Sequence, residues 1–133
     1  LAFLLSSSNC AWLAPGIFNP LLIEGLEQSG DTALPCVVIA RRLKIFLETE
    51  LDVICPAGLR IIGHPRGAPL ADRAKINAPG RITIAVGPEG GWTEGELELF
   101  TARGFQPCSL GWRTLRSDTA CIALITLARA ALE

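Results

Sequence analysis

The segment from 81 to 104, RITIAVGPEGGWTEGELELFTARG, leaves a chain few ways to fold. Its β-branched run RITIAV, bounded by Gly80 and Gly87, reads as a central strand. Thr93, with Glu96 three residues on, forms a capping-box pattern, and Leu97, Phe100 and the terminal Gly104 complete a helix with one apolar face. A strand therefore passes into a helix through GPEGGW, a turn with three glycines, a proline and a single carboxylate. Pro88 stiffens this turn and removes a donor. Lacking a Cβ and free to take φ > 0, the backbone at Gly87, Gly90 and Gly91 can approach a ligand closely. A bare strand-to-helix turn would explain Glu89, which gains from the dipole of the following helix. It would not explain glycines on both sides of that carboxylate.

The remaining chain alternates in the same way. Leu21, Leu22 and Leu26 at helical spacing, with Gly30 to cap the end, predict a helix from about 20 to 29. LPCVVIA at 34–40 reads as a buried strand. RRLKIFLETE at 41–50 reads as a short amphipathic helix with Leu43, Phe46 and Leu47 on one face. GLRIIGHPRG holds a short strand ending at Gly63, and FQPCSLG, beginning at Phe105, another. The last segment, SDTACIALITLARAALE, has Ser117 or Asp118 as N-cap and is apolar nearly all round, which marks a buried or interfacial helix. Strands alternating with helices imply an α/β fold with a mainly parallel sheet. A length of 133 residues with 50% hydrophobic and 19% charged residues suits a single globular domain over 1–133. The absence of any methionine, including at Leu1, sets the expectation of a piece of something longer.

Twelve basic and thirteen acidic side chains give a net charge of −1, so no global field draws the chain to nucleic acid and any RNA contact is local. The five cysteines (Cys10, Cys36, Cys55, Cys108, Cys121) include no CxxC pair, and the lone histidine, His64, cannot complete a zinc site with them at ligand spacing. They read as reduced core residues of a cytosolic protein, with no metal. The opening LAFLLSSSNCAWLAPGIF is apolar but interrupted by Ser6, Ser7, Ser8 and Asn9 and has no positive n-region; it fits neither a signal peptide nor a membrane span.

In an open parallel sheet a ligand sits beyond the carboxyl ends of the strands. Three loops here follow predicted strands: GHPRGAP from Gly63, GPEGGW from Gly87 and LGWRTLRSDTA from Leu110. GPEGG matches neither GxGxxG nor GxxxxGK[ST], so dinucleotide and phosphate-loop readings lose support. Arg113 and Arg116 stand just before a helix N-terminus that is already electropositive, where the dipole does not favour them. They suit a phosphate, a base carbonyl or a carboxylate. The alternative is internal pairing of one of them with Asp118 or Glu89, and for His64, between Gly63 and Pro65, a purely structural role.

Together these residues resemble a known family. RITIAVGPEGGWTEGELELFTARGFQPCSLGWRTLRSDTA is similar to the C-terminal domain of the ribosomal RNA small subunit methyltransferase E family, which methylates N3 of a uridine, and HPR at 64–66 and EQSG at 27–30 also fit. The resemblance is carried by 81–133, extends in weaker form over 24–80, and is lost over 1–23. It implies a SPOUT-type α/β fold with a C-terminal trefoil knot, a homodimer, S-adenosylmethionine as cofactor and small-subunit ribosomal RNA as partner, in the cytoplasm. By the same resemblance the cofactor lies among His64 and Pro65 of the first loop, Gly87, Pro88, Glu89 and Gly90 of the second, and Leu110, Gly111, Leu115 and Arg116 of the third. The chain departs from the family at Asp31, where arginine is usual, in lacking a TELG-like motif, and in lacking the N-terminal PUA-like RNA-binding domain.

Methyl transfer from a sulfonium is an in-line displacement, so the protein has to align two partners and manage one proton. Uridine N3 becomes nucleophilic when a base removes its hydrogen or when cations against the uracil carbonyls stabilise the imide anion. Glu89 suits the first role, Arg113 and Arg116 the second. Two rival readings keep the same fold: a non-catalytic dimerisation or RNA-associated module, and a related methyltransferase acting on another base or on ribose.

Overall fold

The computed structural model describes residues 2–5, 15–30, 32–33, 37–38, 40, 42–56, 58–69 and 81–132. At its centre lies β3 (Ile82–Val86), buried at every residue as its β-branched composition requires. β2 (Leu59–Pro69) pairs with one edge of β3 and β1 (Ala2–Leu5) with the other, and β4 (Gln106–Ser109) pairs with β2, giving a wholly parallel sheet in the order β1-β3-β2-β4.

Period-two alternation sends the apolar side chains of these strands to two faces. Leu59, Ile61, Ile82, Ile84, Val86 and Cys108 meet Leu124 and Ala128 of the last helix, α5 (Ser117–Leu132). Ile62 and Ala85 point the other way, onto Phe46, Leu47, Leu51, Cys55, Phe100 and Phe105. Those residues come from α2 (Leu43–Ile45), the π-helical turn Phe46–Glu50, α3 (Leu51–Ile54) and α4 (Glu94–Ala102) with the residues that flank them. Helices thus cover both faces of a parallel sheet, as expected from the alternation. Each large aliphatic or aromatic residue buried this way stabilises the fold by roughly 1.5–3 kcal/mol.

Local devices fix the helix ends. The Thr93 hydroxyl accepts from the Glu96 N–H (3.3 Å) while the Glu96 carboxylate accepts from the Thr93 N–H (2.9 Å), completing the capping box that the sequence announces. Gly104, at φ 80°, ends α4 in the left-handed conformation. Arg60 ties three elements together, donating to the Asp52 carboxylate (2.5 Å), the Cys55 carbonyl (3.0 Å) and the Arg103 carbonyl (2.8 Å). The hydrogen bond and charge of Arg60 hold the Asp52 carboxyl below its ordinary range.

Three expectations need correction. β2 does not stop at Gly63: Gly63 and Ala68 both stand opposite Cys108, so the ladder resumes after an excursion of 64–67 and runs on to Pro69. Proline at 65 has no N–H to give the ladder, and glycine at 67 is required because a Cβ there would lie 2.5 Å from the Cys108 nitrogen. Second, Val37 and Val38 are exposed and outside any strand; Leu34, Pro35, Cys36 and Ile39 of that expected strand lie outside the described residues. An apolar run without periodicity carries no evidence of its pairing partner. The sheet takes its fourth strand instead from β1, in the opening segment. Third, the Arg116 carbonyl accepts the first helical N–H of α5, from Ala120 (2.8 Å), so Arg116 and not Ser117 or Asp118 is the N-cap. Of the two alternatives for α5, burial all round is set aside: Leu124 and Ala128 are inside, whereas Ile122 is 66% exposed and Leu127 also faces outward.

By contact the chain divides into two compact units, one of residues 1–6 with 42–133 and one of 7–41. The second unit contains α1 (Pro15–Ser29), longer than expected and ended by Gly30 at φ 68°, with Leu22 and Leu26 half-buried and Leu21 exposed. Cys55 and Cys108 are buried and Cys121 half-buried, and burial pushes the Cys121 thiol up; Cys10, Asp31 and Cys36 lie outside the described residues.

Candidate active site

The three loops converge. A cavity of about 320 Å³ opens at the excursion within β2 and the carboxyl ends of β3 and β4, within the first unit. His64 and Pro65 reach it because the excursion in β2 lifts them out of the ladder, and the His64 Nδ1 accepts the Arg66 N–H (3.3 Å) to brace that excursion. Arg66 in turn donates to Glu94 (2.7 Å) at the start of α4, an exposed pair worth little by itself.

Gly87, Pro88, Glu89 and Gly90 form the second wall. The Gly91 N–H closes a turn onto the Pro88 carbonyl (2.9 Å), which places Glu89 and Gly90 at its tip. The three glycines answer to different causes. Gly91 takes φ 76°, which disfavours any side chain. At Gly87 a Cβ would fall 3.0 Å from the indole Nε1 of Trp92, itself packed edge-on against Phe100 at 4.8 Å. At Gly90 neither cause operates: φ is not positive, and a Cβ would meet nothing within 4 Å. Gly90 is nonetheless part of the cavity lining.

Leu110, Gly111, Arg113, Thr114 and Leu115 make the third wall. The Ser109 hydroxyl accepts from the Gly111 N–H (3.1 Å) and donates to its carbonyl (3.0 Å), holding Gly111 at φ 117°. The floor is laid by Ser117, Ala120 and Leu124 of α5, and the Ser117 hydroxyl donates to the Gly87 carbonyl (2.8 Å), joining the second loop to the final helix.

Nine of the ten residues expected around a cofactor line this cavity; Arg116 does not. Its side chain is 78% exposed, with Nε 3.8 Å from Asp118 Oδ1, so the internal pairing considered for one of the two arginines is the arrangement Arg116 adopts. The Thr119 N–H, donating to Asp118 (2.7 Å), is the main cause that holds the Asp118 carboxyl below its ordinary range, with the Arg116 charge adding to it. Arg113 lines the cavity and lays its guanidinium 4.6 Å over the Trp112 ring. Glu89 is exposed at the tip of its turn and has no partner among the described residues.

Sequence reasoning missed Trp92, Thr114, Ser117, Ala120 and Leu124. The last three were accessible: spaced i, i+3, i+7, they form one helix face beginning beside the third loop. Trp92 gave no signal, because its part depends on packing beneath Gly87; its buried Nε1–H has no acceptor among the described residues. Among those residues no three His, Cys, Asp or Glu side chains cluster as a metal site, and no helix is long and apolar enough to cross a membrane.

The family of RNA methyltransferase domains matches residues 18–129. The chain belongs to that family. Among proteins similar to this member are the ribosomal RNA small subunit methyltransferases E of Treponema pallidum, 35% identical over 103 residues, and of Synechocystis, 38% identical over 116 residues. The alignments cover 77% and 85% of this chain but 39% and 37% of those relatives, so the chain spans about two fifths of their length. A crystal structure of the corresponding Neisseria gonorrhoeae enzyme bound to S-adenosyl methionine superposes over 95% of this chain and 52% of its own, with a TM-score of 0.75 and 30% identity. A Legionella pneumophila methyltransferase structure with bound cofactor gives a TM-score of 0.71 at 27% identity over 95% of this chain and 53% of its own. The chain thus shares with both structures the fold of a parallel sheet with helices on both faces.

Proposed function

We propose that this chain is the cofactor-binding and catalytic part of an S-adenosylmethionine-dependent methyltransferase acting on small-subunit ribosomal RNA, at N3 of a uridine. The observation that carries the reading is the meeting of three separate loops around one cavity, whose lining includes Gly90, a position that neither positive φ nor close packing reserves for glycine. The residues suit an adenosyl group: apolar walls from buried Val86 and Leu124, half-buried Leu110 and exposed Pro65, and exposed loop backbone at Gly90 and Gly111 for polar contacts. The similarity to structures that hold this cofactor supports the same assignment.

When bound, S-adenosylmethionine supplies an electrophilic methyl group. This chain's residues hold it and prepare the nucleophile. His64, Pro65, Gly87, Pro88, Gly90, Leu110, Gly111 and Leu115 enclose the cofactor. Arg113, at the cavity wall, opposes negative charge on a uracil carbonyl as the N3 proton leaves. Glu89, unpaired at the rim, takes that proton. Arg116 acts at longer range, its carbonyl capping α5 and its exposed guanidinium turned to the RNA phosphates. The exposed apolar residues of α5 suit a homodimer interface. A C-terminal knot accords with the bond that draws the start of α5 against the Gly87 loop. The cytoplasm, where ribosomes assemble, is the matching location.

Calorimetric titration with S-adenosylmethionine tests the reading, with binding expected whether or not a chelator is present. A folded protein that binds neither this cofactor nor its demethylated product at millimolar concentration would be the non-catalytic module instead.

A further inference from the structure

Trp112 is the most exposed large apolar residue among those described, 83% accessible. It does not line the cavity, yet both its neighbours, Gly111 and Arg113, do. Its position is held from both sides. The Ser109 hydroxyl, bonded to the N–H and the carbonyl of Gly111, rigidifies the turn before it, and the Arg113 guanidinium lies 4.6 Å over its ring. An indole presented to water on a braced turn forgoes the burial that other described aromatic residues obtain. Phe46, Phe100 and Phe105 are all inside.

Resting on the RNA methyltransferase reading, we propose that Trp112, backed by Arg113, is a stacking platform for a nucleobase of single-stranded RNA next to the base that enters the cavity. A ring with a cation on one side and solvent on the other offers a flat, sequence-tolerant surface, and base stacking on aromatic side chains is a main source of single-strand affinity. The charge balance gives it more weight here: at a net charge of −1 no general electrostatic attraction substitutes for it. Arg113 then couples two events, since the residue that backs the platform also lines the cavity.

The test measures anisotropy of a fluorescein-labelled oligouridylate with the parent chain, Trp112→Ala and Trp112→Phe at low salt, with calorimetry of S-adenosylmethionine and sedimentation on the same samples. The platform predicts RNA affinity lower by about fivefold to a hundredfold in Trp112→Ala and within about threefold of the parent in Trp112→Phe, with cofactor affinity and sedimentation unchanged. Equal RNA affinity in the parent and Trp112→Ala overturns it. So does a parent that binds no RNA, or a change of oligomeric state in Trp112→Ala, which would make the indole a contact between copies of the chain. Loss of the underlying reading is seen separately, as a parent chain that does not bind the cofactor.

Discussion

Gly90→Val separates the cavity from the fold. A Cβ at this position meets no heavy atom within 4 Å, and φ there lies outside the left-handed region, so valine is not strained by the folded chain. Replacing glycine also restricts the unfolded chain, which favours the native state by about 0.4–1 kcal/mol at a compatible site. The melting temperature should therefore stay within about 4 °C of the parent or rise slightly. Ligand binding should behave differently. A branched side chain at the tip of the second loop competes for the space kept for the adenosyl group, and overpacking of a close-fitting site costs roughly 1–3 kcal/mol, a loss of about fivefold to 150-fold in affinity. Gly67→Ala is the contrasting control: its Cβ would sit 2.5 Å from the Cys108 nitrogen and the Pro107 carbonyl carbon, and should cost the fold about 3 kcal/mol or more. Thermal melts and calorimetric titration with S-adenosylmethionine read both quantities. Unaltered affinity in a Gly90→Val protein that melts normally would show that glycine at 90 serves the turn and not a ligand. Early melting would show that the space around it is not open.

The two arginines should separate in a methylation assay that uses a full-length relative. Alanine at the position of Arg113 should lower turnover at least tenfold with cofactor affinity within a few-fold, as for a contact made in the transition state, and alanine at that of Arg116 should mainly weaken RNA binding and its salt dependence; parental rates in both would make the arginines structural. Ile122→Glu places a charge on the exposed apolar face of α5 and should convert a dimer to monomers in sedimentation; a concentration-independent monomer in the parent would refute the interface. Asp52→Asn tests the Arg60 clasp. Because the folded carboxyl is held below its ordinary range, its contribution is present above the unfolded carboxylate pKa and disappears as pH falls through the lowered value. The stability gap between parent and variant should thus be widest near neutral pH and close in acid; a constant gap would exclude the ion pair as its cause.

Much of the architecture was legible because it depends on neighbours in sequence. The capping box at Thr93 and Glu96, the stop at Gly104 and the β-branched run of β3 are local, and each predicted its element. What failed was long-range. No pattern within residues 2–5 announces that they pair with 83–86, and none at 37–38 reveals that a strand is absent there. The site divides in the same way. Loops ending three parallel strands were found by topology and by resemblance, whereas the role of Trp92 under Gly87 and the diversion of Ser117 from capping to bonding Gly87 exist only once α4 and α5 are packed. Arg116 shows the limit of reading a motif residue by residue, since its backbone is committed to α5 and its side chain to Asp118.

The hydroxyl of Ser117 on the Gly87 carbonyl also has a consequence for synthesis. The first two walls of the cavity are translated well before α5, which supplies its floor and the latch that steadies the second loop. While α5 is still inside the ribosomal tunnel, a nascent chain can form much of its sheet and hold no complete pocket. Cofactor capture thus waits until α5 has cleared the tunnel and closed the pocket.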